Sequence, residues 1–287
     1  TFTTGIFRTW FGLGSSVAAA QLAVVLLMFI LLAVVLEAWS RRQARYHHTS
    51  NRYSKLIQRP LHGWPMLLAM GICFFPVVFG FVVPAAQLSV WALQTWREVI
   101  DESFYALVGH SIELAAIASA VALILSLFIT YGKRLLSNPV TRFIVRFLSM
   151  GYAIPGTVIA IGVLIPLAWL DNSIDSWMRT NMDLSTGLLF SGTIFALVFA
   201  YLVRFLPVSL NTIEAGLTKI RPAMDEVGRS LGSSSTRILR RVHIPMLKGS
   251  ILTAALLVFV DVLKELPATL ILRPFNFNTL AIRCYEL

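Results

Sequence analysis

Long apolar runs separated by short polar stretches make up most of this sequence. A helix needs about 20 predominantly apolar residues to cross the hydrocarbon core of a bilayer. Six runs approach or exceed that length, at residues 17–39, 66–88, 114–131, 147–170, 187–205 and 250–263. The fourth run contains Pro155-Gly156, and such a pair is expected to kink or break a helix. The pattern predicts an all-α, polytopic bundle of transmembrane helices.

Composition and charge agree with that prediction. Hydrophobic residues make up 57% of the chain and charged residues 13%, whereas soluble chains carry about 25% charged residues. The net charge of +10 could indicate a nucleic-acid partner, but most of the 24 Lys and Arg fall in alternate loops, at residues 41–62, 133–146 and 207–248. Positive charge on alternate loops marks the cytoplasmic side of a membrane. We therefore expect six spans, both chain ends outside, a lipid bilayer as partner and no nucleic acid.

Residues 221–245, called segment 221–245 below, form the one long polar stretch in the second half of the chain. Pro222 suits the first turn of a helix, and Asp225 and Glu226 fall early in that helix, where negative charge is favoured. Gly232 is placed to end the helix in a left-handed conformation, and the serines that follow offer caps for a second helix. The spacing predicts a helix–turn–helix unit between two membrane spans. A solvated charged loop is the simpler alternative.

Segment 221–245 resembles the EAA loop of binding-protein-dependent ABC import permeases. The family pattern is Glu-Ala-Ala, three residues, Gly, nine residues, Ile, any residue and Leu-Pro. Here Glu226, Gly232 and Pro245 stand at the expected spacing, and Val227-Gly228 replaces the two alanines. The resemblance implies a MetI-like permease whose cytoplasmic loop docks into a cleft of an ABC ATPase dimer. The coupling residues that it implies are Asp225, Glu226, Gly228, Leu231, Gly232, Arg237, Ile244 and Pro245.

Two other stretches resemble the iron(III) branch of that family: FGLG followed by AAAQLA near the start, and VFVDVLKELPATLILRPFNFNTLA near the end. The resemblance implies two fused halves and import of ferric iron, delivered by a periplasmic binding protein, across the bacterial inner membrane. Thiamine is an alternative cargo.

A weak internal echo agrees with fused halves, since residues 2–10 align without gaps on residues 277–285 and share Phe, Thr and Arg. We expect residues 1–39 to be the end of a first permease half and residues 40–63 a cytoplasmic basic linker. Residues 64–287 would then be a second half that lacks its final span.

A charged cluster at the end of the sixth run is the second candidate site. Asp261 lies at helical spacing from both Lys264 and Glu265, and ionisable groups at membrane depth usually face a bundle interior or water. The cluster is either a gate near the outer leaflet or a self-paired structural group. Ferric iron prefers oxygen ligands, but Lys264 between two carboxylates argues against a permanent metal site. The gate and pathway candidates are Asp261, Lys264, Glu265, Pro267, Pro155 and Gly156.

No resident cofactor, metal or catalytic group is predicted. Neighbouring His47 and His48 would not face each other on a helix. The chain has no GxxxxGK[ST] run, so ATP hydrolysis is expected in a partner subunit and not in this chain. A secondary transporter or channel without an ATPase is the main alternative. A membrane-embedded enzyme is disfavoured because no catalytic constellation is found.

Overall fold

A computed structural model describes residues 2–41, 60–136 and 138–286. All regular structure within these residues is helical, which confirms the predicted all-α class. The helices are α1 (Phe2–Phe11), α2 (Ser16–Arg41), α3 (Trp64–Val77), α4 (Val83–Val99), α5 (Glu102–Leu135), α6 (Pro139–Leu148), α7 (Gly156–Met182), α8 (Ile194–Leu217), α9 (Ala223–Ser230), α10 (Ser235–Ile238), α11 (Ile244–Met246), α12 (Lys248–Leu263), α13 (Pro267–Leu272) and α14 (Leu280–Glu286).

Within the described residues, five continuous helical stretches are long and apolar enough to cross a membrane. They are Ser16–Glu37, Trp64–Arg97, Glu102–Leu135, Gly156–Met182 and Ile194–Leu217. A sixth is present if the helical run Ser235–Met246 and α12, which meet at 77°, count as one broken span. The predicted multi-pass organisation is therefore confirmed in its main features.

The helices begin and end at other residues than the apolar runs do. The third run was expected at 114–131, whereas α5 extends over Glu102–Leu135. Hydropathy marks only the part of a helix that suits hydrocarbon, and a helix can continue into the polar regions on either side. The fifth span was expected to start at 187, but α8 starts at Ile194.

The late start of α8 has a local cause in Asp171. Its buried carboxylate accepts hydrogen bonds from the backbone N–H groups of Phe190 (3.0 Å) and Ser191 (2.7 Å) and from the Ser191 hydroxyl (2.5 Å). These bonds tie the loop before α8 to α7. The loop residues therefore do not adopt the helical conformation that would extend α8 to its predicted start.

The chain divides into two compact units, Thr1–Leu36 with Leu107–Leu287 and Glu37–Ala106. In the smaller unit, α3 and α4 continue each other through a π turn at Val78–Val82. Pro84 lies just after this turn and has no N–H to donate to the carbonyls within it, and a wider turn is one way for a helix to accommodate such a residue. The predicted division into two permease halves stays a prediction.

The larger unit packs around α8. Leu197, Tyr201 and Leu210 of α8 are buried in a cluster with residues of α7, α12 and α13. From α5 the same cluster takes small side chains, among them Ala115 and Ala118. Small residues let helices approach closely, which favours packing between membrane helices. A second cluster joins α1 and α2 to α7.

α8 and α12 run antiparallel, which places several chain segments at one end of the larger unit. Gly216, near the end of α8, lies against Leu247 and Ser250 at the start of α12. Lys133, near the end of α5, forms an ion pair with Glu214 of α8. The end of α5, the end of α8 and segment 221–245 therefore lie together, as expected if they belong to one side of the membrane.

Candidate functional site

Segment 221–245 folds as the two-helix unit that its sequence predicts. α9 begins just after Pro222, and Gly232 ends the helical turn with φ of 76°, a left-handed conformation that suits glycine. The N–H of Ser233 donates to the carbonyl of Gly228 (3.0 Å), which is the long hydrogen bond of a Schellman motif. The predicted helix end is therefore confirmed.

The second helix of the segment starts at the predicted serines. The hydroxyl oxygen of Ser234 accepts a hydrogen bond from the backbone N–H of Arg237 (3.4 Å), which caps α10. The helical run passes through a π turn at Leu239–His243 and ends at Met246, one residue beyond Pro245. The unit therefore closes close to its predicted end, immediately before the bend into α12.

The two helices of the segment meet at Gly228. A Cβ atom at this position would lie 2.7 Å from Cδ1 and 2.9 Å from Cγ1 of Ile238, which is buried. Glycine at a position where the family pattern has alanine therefore allows this close approach. Beside the contact lies an open groove of about 550 Å³ with apolar and basic walls, formed chiefly by Met224, Val227, Leu231, Arg221, Arg237 and Arg241.

Asp225 is 4% exposed and holds the two helices of the segment together. Its Oδ1 lies 2.6 Å from Nε2 of His243, and its Oδ2 accepts a hydrogen bond from Nε of Arg134 (2.8 Å). Burial alone would raise the pKa of Asp225, but the hydrogen bonds from His243 and Arg134 outweigh it and hold that pKa below its usual range. Because an ionised carboxylate only accepts hydrogen bonds, Nε2 of His243 carries the proton of this pair.

Arg134 lies in the last turn of α5 and also caps the end of α8. Its Nη1 donates to the carbonyl of Leu217 (2.8 Å) and its Nη2 to that of Ile220 (3.0 Å). One turn earlier, the Tyr131 hydroxyl donates to the carbonyl of Ser235 (2.8 Å) in the second helix of the segment. Together these contacts join α5, the end of α8 and both helices of segment 221–245.

The other predicted coupling residues lie at or near the surface of the segment. Ile244 is half-buried, whereas the exposed ones are Glu226, Leu231, Arg237 and Pro245. An exposed face above a buried, ion-paired base is an arrangement suited to contact with another protein.

Glu265 of the predicted gate joins three helices. Its Oε2 lies 3.3 Å from Nε of Arg204 in α8, and its Oε1 accepts a hydrogen bond from the N–H of Ala268 (3.3 Å) in the first turn of α13. Glu265 is 5% exposed. Arg204 is the eleventh residue of α8, roughly 15 Å from the start of that helix at 1.5 Å per residue. The Glu265–Arg204 pair is therefore at the middle of α8.

The third helix at Glu265 is α7, which begins at the predicted break. Pro155 precedes α7 and Gly156 is its first residue. A Cβ atom on Gly156 would lie 2.5 Å from Nη1 of Arg204 and closer still to Oε1 of Glu265. The structure thus places Gly156 of the fourth run against Glu265, just beyond the sixth run, a contact that the sequence did not predict.

Asp261 and Lys264 form the predicted i, i+3 ion pair, with a distance of 2.8 Å. Asp261 is buried, whereas the side chain of Lys264 is 69% exposed. Glu265 pairs with Arg204 instead of joining them. The expected position near the outer end of a span is corrected: α12 breaks beside the middle of α8, and Pro267 starts α13 along α7 and α8. Proline lacks the N–H that a continuous helix needs but suits a first turn.

Sequence reasoning missed Arg134, His243 and Arg204. A signal existed for Arg204, because it is a charged residue between apolar neighbours. Because the predicted span 187–205 ends one residue later, the sequence places Arg204 at the edge of the membrane and not within it. No local signal marks Arg134 or His243, since their importance comes from a carboxylate that folding brings to them. The residues His47 and His48, for which no metal role is predicted, lie outside the described residues.

The family model "Binding-protein-dependent transport system inner membrane component" matches residues 122–280. This stretch is more than half of the chain and contains segment 221–245 and the Glu265 contacts. The chain therefore belongs to this family, which confirms the predicted family and its MetI-like, all-α fold. It is a multi-pass membrane protein of a transport system.

Three relatives illustrate the range of the family. Over 290 residues the chain is 25% identical to the Fe(3+)-transport system permease protein FbpB 2 of Haemophilus influenzae, covering 100% of this chain and 54% of that protein. It is 25% identical over 287 residues to the "Probable ABC transporter permease protein y4fN" of Sinorhizobium fredii, covering 93% of this chain and 48% of the relative. The chain thus spans about half the length of these two relatives.

The third relative is similar over a shorter stretch. It is the molybdate/tungstate transport system permease protein WtpB of Methanocaldococcus jannaschii, 29% identical over 90 residues, with 31% of this chain and 36% of that protein covered. The names of the relatives thus include both a metal cation and oxyanions as cargo.

Proposed function

We propose that this chain belongs to the permease subunit of an ATP-driven importer that moves ferric iron into the cytoplasm across the bacterial inner membrane. A periplasmic binding protein delivers the cargo, and an ABC ATPase dimer docks on segment 221–245. The observation that carries the proposal is the construction of this segment. Its two helices are capped, closely packed at Gly228, joined to each other through Asp225 and His243, and held to α5 by the buried ion pair of Asp225 with Arg134. A passive loop would not require such a base.

The proposed mechanism is alternating access. Closure of the ATPase dimer moves segment 221–245, and the helices attached to it reorient around the transport path. The gate lies where Gly156, Arg204 and Glu265 meet, with Asp261, Lys264, Pro155 and Pro267 around it. Support comes from the break between α12 and α13, because a helix interrupted in the middle of a bundle can change direction there.

Ferric iron is the proposed cargo because a relative that is similar over the whole chain carries Fe(3+) in its name. The chemistry at the break is compatible with a transient role, since the carboxylates of Asp261 and Glu265 offer the oxygen atoms that a hard cation prefers. Each carboxylate is already paired with a cation, so the group suits brief passage and not storage. An oxyanion such as molybdate is the alternative, and Arg204 would then be its natural contact.

Uptake by the reconstituted complex tests the proposed function. The full-length protein, its ATPase and its binding protein are placed in proteoliposomes, and accumulation of radioactive ferric iron is measured with and without ATP. We expect ATP-dependent uptake that an excess of molybdate does not reduce. Competition by molybdate would indicate that the cargo is an oxyanion and not ferric iron. Uptake driven by an ion gradient without ATP would indicate a secondary transporter.

Gly228→Val is expected to abolish stable association with the ATPase while the protein stays in the membrane. The added side chain would collide with Ile238 and force α9 away from the second helix. Overpacking of this kind costs about 1–3 kcal/mol, and every 1.4 kcal/mol corresponds to roughly tenfold in an equilibrium. Co-purification of the ATPase with the tagged permease measures the effect.

Two further variants check the cause. Gly249→Ala changes a glycine whose Cβ would meet no atom within 4 Å, so it is expected to behave like the unmodified protein. Shortening Ile238 to alanine makes room at the contact and is expected to recover part of the association lost in Gly228→Val. If Gly228→Val retains the ATPase and transports normally, the segment is a passive linker.

A further inference from the structure

The attachment of segment 221–245 to the rest of the protein is concentrated in a few side chains. Its covalent connections are the turn after α8 and the 77° bend before α12. Both connections could bend when the segment is pushed. The noncovalent attachment is different, because it centres on the buried carboxylate of Asp225 and runs to Arg134 at the end of α5.

All three guanidinium nitrogens of Arg134 take part in this attachment. Nε and Nη2 lie 2.8 Å and 2.7 Å from Oδ2 of Asp225, while Nη1 and Nη2 also donate to the carbonyls of Leu217 and Ile220. Hydrogen bonds between charged groups are stronger than neutral ones, and the planar guanidinium fixes their directions. Arg134 therefore sets the position of α9 relative to both α5 and α8.

His243 completes the attachment from the second helix. It is fully buried and donates through Nε2 to Oδ1 of Asp225, the oxygen that Arg134 does not use. The ring of Tyr131 lies 5.4 Å from the ring of His243, and the Tyr131 hydroxyl binds Ser235 of the same helix. Both helices of the segment are thus held to the last turn of α5.

We propose that Arg134 and His243 are positioning residues for energy coupling, which act through Asp225 to make segment 221–245 move together with α5. α5 is the long helix that reaches the opposite end of the unit, where Ser111 accepts a hydrogen bond from the N–H of Leu280 (2.9 Å). A displacement of the segment then passes into the helical core instead of being absorbed by the two connecting turns. The inference rests on the proposed function, because it requires an ATPase that pushes the segment.

The neighbouring residue Lys133 provides a matched control. It too lies at the end of α5 and forms an ion pair, but its partner is Glu214 of α8 and not a residue of the segment. Both side chains of that pair are partly exposed, and such pairs contribute little to stability. Lys133→Gln and Arg134→Gln therefore each remove one positive charge from the same turn, and only the second releases the segment.

The experiment measures transport per ATP hydrolysed in the reconstituted full complex. For Arg134→Gln and His243→Leu we expect the ATPase to stay bound, while its stimulation by the loaded binding protein and the transport ratio fall about tenfold or more. His243→Gln keeps a donor and is expected to recover part of the loss. Lys133→Gln is expected to match the unmodified protein.

The double variant Arg134→Gln/Asp225→Asn separates coupling from simple stability. It removes the unpaired buried carboxylate, so it is expected to assemble fully and to remain uncoupled. Full coupling in this variant, or in Arg134→Gln itself, would overturn the inference, because the cluster would then serve only to neutralise a buried charge. If the unmodified protein recruits no ATPase at all, it is the proposed function that fails.

Discussion

Alanine in place of Gly156 is expected to lower transport about tenfold or more while the protein remains folded and bound to its ATPase. The new methyl group would occupy space that Nη1 of Arg204 and Oε1 of Glu265 now fill. Glu265 cannot retreat freely, because it is nearly fully buried and also accepts a hydrogen bond from Ala268. The ion pair therefore separates or α7 shifts, and either change disturbs the proposed gate. Uptake by proteoliposomes at equal protein content measures the loss.

Gly162→Ala is the matched control for Gly156→Ala. Gly162 lies in the same helix, and a Cβ on it would meet no atom within 4 Å. Alanine is favoured over glycine in helix interiors by about 1 kcal/mol, so Gly162→Ala is not expected to destabilise α7. Transport should fall only in the Gly156 variant. Equal transport in both variants would mean that the close contact at Gly156 has no part in gating.

The sequence predicted segment 221–245 well because its signals are local. A proline before α9, a glycine at its left-handed end and a serine cap each act through backbone groups only a few residues away. The same rules could not supply Arg134, since it follows a different span. Nothing in its neighbourhood along the chain indicates that it will meet Asp225.

The limits of the membrane helices were harder to predict for a related reason. Apolar runs report the part of a helix that suits hydrocarbon, whereas hydrogen bonds and side-chain contacts decide where the helix stops. α7 continues through residues expected in an external loop, and the Asp171 carboxylate delays the start of α8. The sixth span was likewise predicted to end where α12 breaks. A charged group followed by proline is typical of the end of a span and also of a break within one.

Neutralising either member of the pair Arg204–Glu265 is expected to impair the protein strongly. Glu265→Gln leaves a guanidinium beside a buried amide, and Arg204→Gln leaves a carboxylate without its cation. Removing one partner of a buried ion pair typically costs about 3–5 kcal/mol, because the remaining charge is not compensated. We expect reduced amounts of folded protein in detergent and transport at least about tenfold lower, measured per folded molecule.

The double variant Arg204→Gln/Glu265→Gln then distinguishes a gate from a structural pair. Two amides can hydrogen-bond without an uncompensated charge, so the double variant is expected to recover the folded amount that each single change loses. A gate that depends on the charged pair should still transport poorly, because the bond that holds α13 to α8 in one state has lost most of its strength. Recovery of transport together with folding would contradict this expectation. The pair would then stabilise the break between α12 and α13, and the transport path would have to be sought elsewhere in the bundle.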